Sequence, residues 1–140
     1  MKKKLNCVLL VDDDEPTNFL SRMLLEEANC TEHIEVAHSG IEALDYLESS
    51  ETTDEDHDIY VRPDLIFLDI NMPAMNGWEF LEEYKNLEKD KKGKIVVVML
   101  TTSLNPDDSA RAKGIPDISD FESKPLTSEK LGKILRKHFG

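Results

Sequence analysis

Five polar residues of this 140-residue chain could do chemistry together: Asp12, Asp13, Asp69, Thr101 and Lys124. Each comes just after a short strand-like run. Asp12 and Asp13 follow Cys7-Val8-Leu9-Leu10-Val11, and Asp69 follows Leu65-Ile66-Phe67-Leu68. Thr101 follows the apolar run at 95–100, and Lys124 follows Asp120–Ser123. An unbroken apolar run bounded by turn residues reads as a strand buried on both faces of a parallel sheet. In open α/β sheets, ligands bind beyond the carboxyl ends of the strands. An Asp at one such junction could be a simple turn or cap residue. Several strand ends carrying reactive groups point instead to convergence at one site.

Three carboxylates against one ammonium leave that site negative. At an effective dielectric of about 20, two carboxylates ~4 Å apart repel by about 4 kcal/mol. The cluster therefore calls for a divalent cation. No His or Cys stands at these strand ends, which argues against zinc. Oxygen ligands suit Mg²⁺, with Mn²⁺ as the alternative. An Asp carboxylate can act as a nucleophile and become an aspartyl phosphate. A phosphoryl group in transfer spreads charge over its equatorial oxygens, which a metal ion, a Lys ammonium and a hydroxyl can stabilise.

The elements that must position these groups are legible as alternating strands and helices. Strands are expected at 7–11, 34–37, 65–68, 95–100 and 120–123. Pro16 suits the first turn of a helix starting near Glu15. Phe19, Leu20, Met23 and Leu24 repeat at helical spacing, and that helix runs to about Ala28. Ser39 and Glu42 have the spacing of a capping box for a second helix, which carries Ala43, Leu44 and Leu47. The segment 49–58 is acidic and aperiodic and reads as a solvated loop. A third helix starts near Asn76 or Gly77 and carries Trp78, Phe80, Leu81, Tyr84 and Leu87, followed by the charged tail 88–94. A short fourth helix starts near Asn105-Pro106 and ends before Gly114 and Pro116. A fifth runs from about Thr127 to His138. Five strands alternating with five helices imply βαβ units and one doubly wound parallel sheet.

Composition narrows the function. Lys and Arg number 17 against 29 Asp and Glu, a formal net charge of −12. Phosphate-directed nucleic-acid binding needs a basic face, and anionic membranes repel such a chain. No apolar run approaches the roughly 20 residues of a membrane span. The N-terminal lysines precede an apolar run too short for a signal peptide. Cys7 and Cys30 lack metal or redox spacing and fit buried thiols in a reducing cytoplasm.

Taken together, VDDDE at 11–15, DINMPAMNG at 69–77, Thr101 and Lys124-Pro125 closely resemble the receiver domain of two-component response regulators. The resemblance covers essentially the whole chain. It implies a three-layer, flavodoxin-like α/β fold with strand order 2-1-3-4-5 and helices on both faces. It implies that Asp69 is the phosphoacceptor and that Asp13 binds Mg²⁺ directly, Asp12 largely through water, and Asn71 through its backbone carbonyl. Thr101 and Lys124 would contact the phosphoryl group, Phe121 would be the switch aromatic, and Lys124-Pro125 would be a cis peptide. The implied partners are a sensor histidine kinase or histidine phosphotransfer protein and a downstream protein. The chain would be one receiver domain over 1–140, with no output domain, catalysing only its own phosphorylation and dephosphorylation. The long loop after strand 2 and the TTS sequence at 101–103 resemble small stand-alone regulators that serve phytochrome-type and similar sensor kinases; Thr102 departs from the family pattern, in which smaller residues are often found.

Two readings compete. A small Mg²⁺-dependent phosphatase with an aspartyl intermediate would carry a second Asp two residues after the nucleophile, and here that residue is Asn71. A flavodoxin-like FMN carrier would need a phosphate-cradling loop after strand 1, where Asp12-Asp13-Asp14-Glu15 would repel the phosphate.

Overall fold

The computed structural model of the protein describes residues 4–49, 62–72, 74–87, 95–102 and 106–139. Most of the acidic segment expected to form a loop at 49–58 lies outside these residues, as do Pro73, the tail 88–94, Ser103 and Asn105. The strands are β1 (Leu5–Val11), β2 (Thr31–Ala37), β3 (Leu65–Asp69), β4 (Val96–Thr101) and β5 (Asp120–Ser123). The helices are α1 (Glu15–Ala28), α2 (Gly40–Ser49), α3 (Gly77–Tyr84), α4 (Pro106–Lys113) and α5 (Ser128–Phe139). The strands form one sheet in the order β2-β1-β3-β4-β5, and every pair is parallel.

The pleat divides the apolar residues between two cores, because alternate strand residues point to opposite faces. Leu9, Val11, Ile66, Leu68, Val97 and Met99 face one side and pack with residues of α2, α3 and Ala112 of α4. Val8, Leu10, Leu65, Phe67, Val98 and Leu100 face the other and pack with Leu25 of α1 and Leu131, Ile134 and Leu135 of α5. The central strands are buried on both faces, so they carry no polar alternation.

Local chemistry sets the helix ends. The Asp14 side chain caps α1 by accepting from the Thr17 N–H, and Asn29 closes it in the left-handed conformation at φ 51°. Ser39 Oγ accepts from the Glu42 N–H at 3.1 Å, but the Glu42 carboxylate reaches back to the His38 N–H at 2.9 Å. That is one residue earlier than the expected capping box. A full capping box forms instead at α3, between Asn76 and Glu79.

Two further expectations need correction. β2 begins at Thr31 rather than residue 34. It is an edge strand, so Glu32 and His33 can pair along β1 while their side chains meet solvent. α3 ends at Tyr84, and Leu87 packs on the core from the turn beyond it. For α1 the structure adds which face is buried. Its repeating apolar residues locate the helix but do not mark its buried face. Phe19 is 64% exposed and Leu20 56%, whereas Asn18, Ser21 and Leu25 are buried.

Candidate functional site

The site forms where β1, β3, β4 and β5 end at the same edge of the sheet. Register places it. Val11 pairs with Leu68, so Asp12 emerges beside Asp69. Asp69 pairs with Leu100, one residue before Thr101. Thr101 pairs with Ser123, one residue before Lys124. The Lys124 N–H extends the ladder by donating to the Thr101 carbonyl at 2.7 Å. Five residues separated by more than a hundred positions thus gather at one sheet edge.

Lys124 joins the acidic groups. Its Nζ lies 2.7 Å from Asp12 Oδ2 and 3.1 Å from Asp69 Oδ1. Both carboxylates are buried, at 4% and 5% exposure. Asp13 stands beside them, exposed, and one ligand oxygen from each of the three lies within 4.8 Å of the others. Asp12 is oriented further by the Asp14 N–H, which donates to its Oδ1 at 2.9 Å. Thr101 is buried at the end of β4, and Thr102 is exposed.

Charge and burial pull these groups in definite directions. Burial and the neighbouring charge of Asp12 push the Asp69 carboxyl above the usual carboxylate range. Lys124 and the Asn71 N–H, which donates to the Asp69 side chain, offset this only in part. Burial alone would lower the Lys124 ammonium, but its hydrogen bond to Asp12 and the charges of Asp12 and Asp69 raise it. Lys124 therefore stays charged, and it cannot neutralise three carboxylates. Three converging carboxylates against one ammonium form an all-oxygen donor set that suits a hard divalent cation.

The backbone around Asp69 is tightly shaped. The Gly77 N–H donates to the Ile70 carbonyl at 2.8 Å. A Cβ on Gly77 would sit 2.8 Å from the Asp69 carbonyl oxygen and 3.0 Å from Ile70 Cα. Only glycine lets α3 start this close to the acidic strand end. The Lys124–Pro125 peptide is cis. Phe121 is half-buried, pairs with Met99 and packs against the core on the α2, α3 and α4 side.

A cleft of about 850 Å³ opens from Asp12, Asp69 and Lys124 along α1 toward the start of α5. Its far wall is apolar, with Leu20, Met23 and Leu24 facing Pro125 and Leu126. Two residues that support the site escaped the sequence reading. Asn18, buried on α1, donates from Nδ2 to the Asp12 carbonyl at 2.9 Å. Its spacing with Ser21 and Leu25 was the available signal, but apolar periodicity pointed to the opposite face. Lys130 on α5 bonds the backbone on either side of Lys124, and an exposed-looking Lys carries no sequence signal for that.

A family model described as the response regulator receiver domain matches residues 8–136. The chain is similar to the two-component response regulator ORR41 of Oryza sativa subsp. japonica, 30% identical over 98% of this chain and 97% of that protein. It is also similar to the hybrid signal transduction histidine kinase B of Dictyostelium discoideum, at 27% identity, and spans only 7% of that protein. Among solved structures, a two-component response regulator from Cytophaga hutchinsonii superposes with a TM-score of 0.83 at 33% identity, covering 96% of this chain and 97% of that one.

Proposed function

The chain belongs to the family of response regulator receiver domains, and from that premise we propose that it is a phosphorylation switch centred on Asp69. The observation that carries this reading is the bridging of Asp12 and Asp69 by Lys124 at 2.7 and 3.1 Å, with Asp13 alongside. A carboxylate oxygen of Asp69 forms the new bond to phosphorus as the donor's phosphorus–nitrogen bond breaks. The electron pair of that bond leaves on the donor's imidazole nitrogen. Lys124 lies against the Asp69 oxygen and is placed to compensate charge on the incoming phosphoryl group. Thr101, at the end of the neighbouring strand, supplies a hydroxyl for a phosphoryl oxygen.

Asp12, Asp13, Asp69 and the Asn71 carbonyl would hold Mg²⁺, with Mn²⁺ as a substitute. When bound, the ion supplies the positive charge that lets an anionic carboxylate meet an anionic phosphoryl group. The donor would be a sensor histidine kinase or a histidine phosphotransfer protein. The apolar cleft wall beside Asp69, together with exposed Phe19, Leu20 and Met23 on α1, suits the approach of such a protein. The phosphorylated state would then act through Thr101 and Phe121 on the face formed by α4, β5 and α5. Its output is altered protein binding or onward phosphotransfer by one receiver domain in the cytoplasm. Asn71 occupies the position where a phosphatase would keep a second acid, so the reaction is confined to the protein's own phosphorylation and dephosphorylation.

Intact mass after incubation with Mg²⁺ and acetyl phosphate tests the reading. The wild type should gain one phosphoryl group and Asp69→Asn none. An adduct that persists in Asp69→Asn would move the acceptor elsewhere. A wild type that neither gains mass nor binds beryllofluoride with Mg²⁺ would remove the phosphorylation function.

A further inference from the structure

Lys130 stands in the first turn of α5. Its backbone N–H donates to Thr127 Oγ1 at 3.1 Å, which fixes the residue at the helix start. Its side chain turns back toward the site. The ammonium donates to the Ser123 carbonyl at 2.9 Å, to Ser123 Oγ at 2.9 Å and to the Pro125 carbonyl at 3.2 Å. An ammonium has three donors, and here each meets a neutral oxygen. The other α5 lysines behave differently. Lys133 and Lys137 face the carboxylates of Glu122 and Asp120 at 3.6 and 3.5 Å, and both are well exposed.

The three acceptors of Lys130 flank Lys124 on both sides. The Lys124 N–H is itself committed to the Thr101 carbonyl. The backbone that carries Lys124 is therefore held by β4 from one direction and by α5 from another. We infer that Lys130 is a positioning residue: its hydrogen bonds to Ser123 and Pro125 set where the Lys124 ammonium lies between Asp12 and Asp69. The consequence for reaction rate rests on the phosphoryl-acceptor reading above. The placement of Lys124 does not, since the hydrogen bonds of Lys130 hold its backbone whether or not Asp69 is ever phosphorylated.

The test uses the full chain carrying Lys130→Met, with Lys133→Met as the control that also removes one α5 cation. Without phosphodonor, the Lys124 ammonium resonance is followed by NMR. With Mg²⁺ and acetyl phosphate, the phosphorylation rate is measured. Lys130→Met should move the Lys124 resonance and slow phosphorylation, by as much as the roughly hundredfold that a misplaced group costs. Lys133→Met should change neither. In a Lys124→Met background, Lys130→Met should slow phosphorylation no further, because its effect runs through Lys124. Ser123→Ala, which removes one acceptor, should move both readouts in the same direction by less.

An unmoved Lys124 resonance in Lys130→Met, with or without a loss of stability, would reduce Lys130 to a structural contact and overturn the inference. So would an equal slowing in the Lys124→Met background, which would mark an effect that does not run through Lys124. If the wild type takes no phosphoryl group, the acceptor reading fails, and the Lys124 resonance still decides the role of Lys130.

Discussion

Asp69 and Lys124 act on each other, and their ionisation follows from that. Asp69 is held above its ordinary range by burial and by Asp12. Its folded state therefore binds a proton more tightly than its unfolded state. The cost of ionising it is absent at low pH and appears as pH rises from the ordinary carboxylate value through the raised one. Metal-free Asp69→Asn should thus be more stable than wild type at neutral pH. The gain should shrink as pH falls through the Asp69 titration. Urea unfolding at several pH values checks this, and a gain that grows toward acid would contradict the assigned direction. Lys124 has the opposite sign. Its pKa is raised, so its contribution is complete below the ordinary lysine value and is lost as pH rises through the folded one.

At the scale of elements, the site depends on how closely α3 approaches β3. The Asn76–Glu79 capping box fixes the first turn of α3, and Gly77 lets that turn rest on the Asp69 backbone. Gly77→Ala forces a Cβ against backbone atoms that have no rotamer to yield. The helix start must shift, and overpacking of this kind costs about 1–3 kcal/mol. Chemical denaturation should show that loss, and acetyl phosphate labelling should slow because the Asp69 carbonyl moves with its side chain. Full stability in Gly77→Ala would mean that the loop absorbs the methyl group. α1 makes a complementary point. It buries Asn18, Ser21 and Leu25 and leaves Phe19, Leu20 and Met23 outward. Leu25 and Leu24 pack on the core, while Leu20 and Met23 line the approach to the site.

At the scale of the whole molecule, the elements are unequally held. β1, β3 and β4 are sealed between two cores. α4 is eight residues long, and Ala112 is its buried residue. Its Arg111 guanidinium lies 4.4 Å from the ring centroid of Trp78 on α3, a cation–π contact worth about 0.5–2 kcal/mol. Elements with few buried apolar groups are the ones that rearrange at low cost. Trp78 is the sole tryptophan of the chain, so its emission reports on α4. Beryllofluoride with Mg²⁺ should change that emission in wild type and leave it unchanged in Asp69→Asn. Bound beryllofluoride with constant emission would mean that α4 keeps its place when the site is filled.

The sequence by itself determined the alternation of elements, the sheet and the polar residues at its edge. Strands such as 65–69 and 96–101 are sealed on both faces, and such strands tolerate only apolar side chains until the chain leaves the sheet. Asp69 and Thr101 mark that exit, so the candidate site was legible in the same runs that revealed the fold. Where one side of an element meets solvent, the signal weakened. Glu32 and His33 hid the start of β2, and the apolar stripe of α1 pointed outward. Only the tertiary structure decided that Lys124 bridges Asp12 and Asp69, that Asn18 and Lys130 brace the acidic loop and the lysine backbone, and that Gly77 admits α3 to β3. The Lys124 bridges join residues distant in sequence, whereas Asn18, Lys130 and Gly77 reach back only about five to eight residues across a strand-to-helix turn, all by hydrogen bonds and close approach. Neither leaves a periodic mark along the chain, because each depends on which elements the folded sheet brings side by side.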